Sequence, residues 1–235
     1  MNILGVTLAR GGSKGVPGKH LRLLGQKPVL AWTVEVARAV LALDDYVVSS
    51  DSMEILLCAQ RYGASRVVQR PKELAQDTTP TLPALQQVVG WWEDYTGKTA
   101  DYIVELRATA PFKTVDDVEQ VIGRLTRTGA DSVIGVVELG DGHPARIKQI
   151  VDGRLRDWPG CPEPASGRRQ DCQPAAYLRN GSIYAFRRDA VMGPNARIFG
   201  HDFSLPYVMP AERSVNIDTE LDFALCQVLA ERFAR

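Results

Sequence analysis

An α/β fold built on a mostly parallel sheet is what this sequence predicts, and three observations carry the prediction. Short apolar runs alternate with amphipathic stretches through the first 137 residues, as successive βαβ units require. The first apolar run ends in a glycine-rich loop, the place where a parallel sheet presents its ligands. The chain has 235 residues, 45% hydrophobic and 24% charged, which suits one sizeable soluble domain.

Asn2 to Leu8 is apolar up to that loop and reads as a buried strand. Pro28 stands at a first helical position and opens an amphipathic helix to Leu43. Tyr46 to Ser49 is a second strand. Asp51-Ser52-Met53-Glu54 has the form of a capping box, starting a helix to Tyr62. Ser65 to Gln69 is a third strand. A helix from Pro80 to Tyr95 precedes a strand at Tyr102 to Leu106. Thr114-Val115-Asp116-Asp117 starts a helix to Thr128, and Ser132 to Val137 is a strand. The pattern then changes. Residues 139–178 are rich in Gly, Pro and Arg, with strand character only around Ile147 to Val151, and read as an inserted arm. Strands at Asn180 to Phe186 and Tyr207 to Met209 restore order, and an apolar-periodic helix, Glu220 to Phe233, closes the sequence.

Lys plus Arg and Asp plus Glu number 28 each, so the net charge is zero; this argues against a general nucleic-acid surface and leaves room for a local basic pocket. Cys58, Cys161, Cys172 and Cys226 form no CxxC pair and no ligand spacing with the three histidines, so neither zinc nor a disulfide framework is expected. Ile3 to Leu8 is too short for a signal peptide and no window reaches membrane-span length, so the expected setting is a reducing cytoplasm.

The loop itself, Leu8 to His20, holds the strongest chemical signal. Gly11, Gly12 and Gly15 let the backbone turn its N–H groups toward an anion, and Arg10, Lys14 and Lys19 add three cations. A triphosphate needs that combination. The loop is not a Walker A motif, because Lys14 precedes Gly15, and GxGxxG is absent.

The run Ala9-Arg10-Gly11-Gly12-Ser13-Lys14-Gly15-Val16-Pro17-Gly18-Lys19 resembles the signature of the acylneuraminate cytidylyltransferases, the CMP-sialic acid synthetases. Further landmarks follow in the family's order. They are Val48-Ser49-Ser50-Asp51, Gln69-Arg70-Pro71 with Glu73 to Thr78, Leu106 to Pro111, His143-Pro144, Arg169-Gln170, Asn180 to Tyr184, and Asn216-Ile217-Asp218-Thr219. They span nearly the whole chain.

The resemblance implies a Rossmann-like three-layer nucleotidyltransferase of one domain, residues 139–178 being a dimerisation and substrate arm. It implies transfer of CMP from CTP to an acidic nonulosonic sugar with release of pyrophosphate, aided by Mg2+, in a homodimer with no nucleic-acid or membrane partner. Such a displacement builds charge on phosphoryl oxygens, so its catalysis is chiefly positioning and electrostatics. By resemblance Arg10, Gly11, Gly12, Ser13, Lys14 and Lys19 hold the triphosphate. Arg10, Lys19 and Asp218 carry the catalysis, and Arg70 and Thr81 contact the nucleoside. Asp218 with Asn216 holds the metal, while Arg107, Arg146 and Arg169 meet the acceptor. Asp218 also reads as an N-cap of the last helix.

Four positions depart from the family pattern. His20 replaces Asn, Arg107 replaces a Gln that touches the sugar, Leu178 stands where many members carry Arg, and Asn216 replaces the first of two Asp. Arg107 puts a fixed cation where a neutral amide is usual, which points to an acceptor other than ordinary N-acetylneuraminic acid. It also keeps open a second enzymatic reading, nucleotidyl transfer from GTP or another nucleotide to a sugar 1-phosphate or other anionic acceptor. A third reading, a nucleotide sensor without turnover, rests on Asn216.

Overall fold

The computed structural model describes residues 1–233. In chain order the elements are β1 (Ile3–Leu8), β2 (Leu23–Leu24), β3 (Lys27–Pro28), α1 (Val29–Ala39), β4 (Asp45–Ser50), α2 (Met53–Arg61), β5 (Arg66–Gln69), α3 (Thr81–Thr96), β6 (Tyr102–Leu106), α4 (Val115–Thr128) and β7 (Ser132–Glu138). There follow β8 (Lys148–Val151), β9 (Arg154–Asp157), β10 (Tyr177–Arg187), α5 (Arg188–Met192), β11 (Ser204–Val208) and α6 (Glu220–Phe233).

Seven strands form one sheet in the order β11-β7-β10-β6-β1-β4-β5. All neighbouring pairs are parallel except those of β10, which runs antiparallel to both β6 and β7. The chain builds outward from β1 through β4 to β5, then returns to lay β6 on the other side of β1. That reversal puts a topological switch point, where open α/β sheets bind ligands, at the carboxyl end of β1.

Apolar side chains of both sheet faces are covered, so this is a three-layer fold. One face packs Val48, Val104 and Leu106 against α1, α2 and α4. The other packs Val6, Val47 and Ile103 against α3 and the residues after β10. A separate cluster joins Val16 of the glycine-rich loop and Ile217 to Trp32 of α1, Phe112, and Phe223 of α6. This cluster fixes the loop and the Asn216–Asp218 segment against one another.

Local chemistry shifts several boundaries. α1 stops at Ala39, not Leu43, because Asp44 N donates to Ile3 O and draws the chain into β4. The expected capping box at α2 is absent. Asp51 Oδ1 accepts instead from Gly11 N, and Ser52 N donates to Ser50 Oγ. A full capping box sits on α4, between Thr114 and Asp117. Nor is Asp218 the cap of α6. Thr219 Oγ1 accepts from Asp222 N, and Asp222 Oδ2 accepts from the backbone N–H groups of Asp218 and Thr219, which leaves the Asp218 carboxylate free for other work. Within residues 139–178 the weak strand becomes a hairpin, β8 with β9, and β10 begins inside the stretch at Tyr177.

Candidate active site

Where β1 ends, the chain enters the glycine-rich loop, and the loop is tied down at both ends. Gly11 N donates to Asp51 Oδ1 at 2.8 Å. Lys19 Nζ donates to Ile217 O at 2.8 Å and pairs with Asp218 Oδ1 at 3.4 Å. Between these anchors, a Cβ at Gly15 would lie 2.1 Å from the Asp218 carbonyl oxygen, so only glycine admits this approach of two backbones. The loop and the Asn216–Asp218 segment are therefore one unit, although they stand at opposite ends of the chain.

The loop opens into a cleft of about 440 Å³, large enough for a nucleotide. Arg10, Ser13, Lys14 and Lys19 line it, as do Arg70 and Thr81 from the β5 side. Gly11 and Gly12 are not among the lining residues; Gly12 is exposed, and the Gly11 N–H is spent on Asp51. Asp77 bridges two of the cations: Arg10 Nη1 and Lys14 Nζ each lie 2.6 Å from its carboxylate and hold it below the usual carboxylate range. A triphosphate reaching these cations must compete with Asp77. Arg70 is buried, with Nη2 donating to Ser49 O at 3.0 Å and Nε to Ser49 Oγ at 3.2 Å. His20 is buried too. Desolvation first, then the neighbouring Lys19, Arg70 and Arg10, push its imidazole down to about 3, so it adds no cation at neutral pH.

Across the cleft stands a wall built from β6 and β10. Glu105 is buried near the end of β6, and its Oε1 accepts from Arg107 Nε at 3.1 Å. The Arg107 guanidinium lies 4.6 Å over the Tyr184 ring. Tyr184 meets Phe199 edge-on, and Arg179 stacks 3.5 Å from Phe199. The backbone of Arg107 is equally fixed. Its N–H donates to Ser182 O, and its carbonyl accepts from Lys113 Nζ at 2.9 Å. Lys113 is buried, which pulls its ammonium down to about 7, while Thr33 Oγ1 and the Ala110 carbonyl join Arg107 O in accepting from it.

Asn216 and Asp218 line the same cleft. Asn216 Nδ2 donates to Asp218 Oδ2, while Asn216 Oδ1 is buried without a partner. Arg146 and Arg169 lie outside the cleft. Arg146 pairs with Asp141 and Glu163, and Arg169 packs beside Gly140. Leu178 is exposed. Glu105 and Lys113 stood in no landmark with a role, and Asp77 stood in one without a role of its own. Glu105 left one trace, an acidic residue inside the apolar run Tyr-Ile-Val-Glu-Leu, where a carboxylate is rarely buried unless paired.

The family profile described as Cytidylyltransferase matches residues 4–194. The chain belongs to the cytidylyltransferase family. This cytidylyltransferase is 30% identical over 230 residues to the CMP-N,N'-diacetyllegionaminic acid synthase of Campylobacter jejuni, covering 97% of this chain and 94% of that one. It is 27% identical over 233 residues to N-acylneuraminate cytidylyltransferase A of Danio rerio, covering 99% of this chain and 51% of the fish protein. Among solved structures, CMP:2-keto-3-deoxy-manno-octonic acid synthetase complexed with CTP superposes with a TM-score of 0.73 at 17% identity, covering 99% and 100% of the two chains, so the two share a fold.

Proposed function

We propose that this enzyme transfers CMP from CTP to an acidic nonulosonic sugar of the sialic or legionaminic acid class and releases pyrophosphate. The observation that carries the proposal is the single cleft at the β1 switch point. It sets the cations Arg10, Lys14 and Lys19 on one side and a polar wall, Glu105 and Arg107, on the other. The anomeric hydroxyl of the acceptor attacks the α-phosphorus. A new P–O bond forms, the bond to the bridging oxygen breaks, the hydroxyl proton is lost to solvent, and pyrophosphate departs with the electron pair. Lys19, fixed by Ile217 O, and Arg10 neutralise the charge that gathers on the α-phosphate and leaving group.

Magnesium fits this site as a guest held mostly by the nucleotide. Among the described residues no group of three or more His, Cys, Asp or Glu side chains could hold a metal ion. The Asp218 carboxylate and the orphaned Asn216 Oδ1 would hold the ion, both being oxygens of the hard type that magnesium prefers, and the nucleotide would supply its remaining ligands. When bound, the ion supplies charge neutralisation at the phosphates.

The arm supports a homodimer. Its hairpin leaves Ile150 and Leu155 exposed, with Trp158 beyond it, an apolar surface that a second copy would cover. No helix of the described residues is long and apolar enough to cross a membrane, and a reducing cytoplasm suits the four unpaired cysteines. The test is pyrophosphate release from CTP and magnesium with N-acetylneuraminic, N,N'-diacetyllegionaminic and 2-keto-3-deoxy-octonic acids. Turnover with at least one acid is expected; no release from any, together with no thermal shift on CTP, would sink the proposal.

A further inference from the structure

Of all the polar groups facing the cleft, one buried charge has no assigned task. Glu105 is only 2% exposed, and its Oε2 has no hydrogen-bond partner. Leaving a carboxylate oxygen buried and unpartnered is costly, so such a group calls for a reason. Its Oε1 is spent on Arg107 Nε, and Arg107 is held over the Tyr184 ring with its backbone fixed at both ends. Among the described residues, neither Nη group of Arg107 donates to protein. The pair therefore presents an acceptor, Oε2, beside a fork of unused donors.

We infer that Glu105, with Arg107 as its partner, is a specificity-determining residue that takes an uncharged, donor-bearing segment of the acceptor. Oε2 accepts from a hydroxyl or amide N–H, and the Arg107 Nη groups donate to an oxygen next to it. Neighbouring hydroxyls on a sugar, or a hydroxyl beside an acylamino group, match this pattern. A phosphate or carboxylate does not, because the Glu105 charge repels it and offsets the attraction of Arg107. This rests on the acceptor reading proposed above, and it tells against a sugar 1-phosphate docking at this end of the cleft.

Topology sets Glu105 on the other side of β1 from the strands that carry Arg70. Arg70 leaves β5 and anchors on Ser49 of β4, on one side of β1. Glu105 stands on β6, on the opposite side of β1, paired across the sheet with Tyr184 of β10. The phosphate loop leaves β1 between them. Burial pushes the Glu105 carboxyl up, and the facing cations Arg107 and then Arg70 oppose that shift.

The test uses Glu105→Gln and Glu105→Leu in the full chain, with whichever acid the wild type turns over best. Glu105→Leu should raise the acceptor KM tenfold or more, while the CTP KM and the CTP-induced shift in Tm stay within twofold. Glu105→Gln, which keeps an acceptor oxygen, should recover most of the loss. In CTP-loaded protein, glucose 1-phosphate should raise the Tm of Glu105→Leu and not of the wild type, a readout that needs no turnover. An unchanged acceptor KM with no new phosphate binding would make the pair merely structural. A parallel rise in the CTP KM would make Glu105 a reader of the nucleotide. Either result overturns the inference. Failure of the functional reading itself shows separately, as a wild type inactive with every acid.

Discussion

On one side of the cleft, Arg10 and Lys14 rest against Asp77, a half-exposed carboxylate that an incoming anion can displace. On the other, Glu105 and Arg107 rest against an aromatic ring and against backbone fixed by Lys113 and Ser182, none of which a ligand displaces. The first side suits a highly charged ligand, whose own charge does the work of binding. The second suits a ligand that must be told apart from similar molecules, since a rigid site with unmatched polar atoms penalises whatever fails to satisfy them. Lys19 belongs to neither extreme. It is a loop cation, yet it is stitched to Ile217 O at 2.8 Å, and Ile217 N donates to Thr109 O, two residues past Arg107, so it joins the two sides.

That junction is where the comparison breaks most readily. Lys19→Ala removes the one loop cation held at fixed geometry and unties Asp218 as well. A loss of roughly 100-fold or more in kcat is expected, as for the removal of a preorganised donor in other transferring enzymes. Pyrophosphate release measures it. If CTP KM rises while kcat holds, Lys19 serves binding alone and the loop is uniform along its length.

The two sides were also unequally legible in the sequence. The loop is contiguous, so glycines and cations at short spacing announced it, and the strand alternation around it was local as well, whereas the capping box read at Asp51 to Glu54 is absent because Asp51 turns to Gly11, 40 positions away. The wall is assembled from β6 and β10, and the loop is tied to the segment before α6; none of those contacts is local. Lys19 and Ile217 lie 198 positions apart. Arg107 read as a lone cation because Glu105, two residues earlier, lay within an apolar run, and only the strand pleat and the turn that follows set the two together. Asp218 read as a helix cap because Asp222, which does that work with Thr219, stands one turn further on. Asp77 was visible as part of a motif, but its partners belong to a loop 67 positions away.

A smaller effect is expected at Asn216→Asp, in the segment bound to the loop. The amide now donates to Asp218 Oδ2. An aspartate there places two carboxylates together, so one is held neutral or both are relieved by a cation. The half-saturating magnesium concentration should fall several-fold, and the Tm without magnesium should drop by a few degrees. An unchanged magnesium dependence would show that the ion is held by phosphates and Asp218 alone.

Smaller again is Asp77→Asn, which tests the displaceable side. It frees Arg10 and Lys14 from half-exposed ion pairs whose individual worth is modest. The CTP KM should fall by roughly two- to tenfold with kcat little changed. A rise in the CTP KM would mean that Asp77 holds the cations in the geometry the triphosphate needs, and the loop would then be as fixed as the wall.

The least visible effect lies beneath the loop, at His20. Its folded-state pKa, about 3, is below the ordinary value of 6.5, so between those limits the unfolded chain binds a proton that the folded chain refuses. Stability from this residue is complete above pH 6.5 and is lost as the pH falls toward 3. From pH 7 to pH 5 the loss amounts to about 2 kcal/mol for one buried imidazole. His20→Asn does not titrate, so its stability should change less over the same interval, and urea unfolding at the two pH values gives the difference. Equal losses in both proteins would mean that the imidazole becomes protonated in the folded state, and hence that charge enters beneath the loop, where His20 Nδ1 has no protein partner.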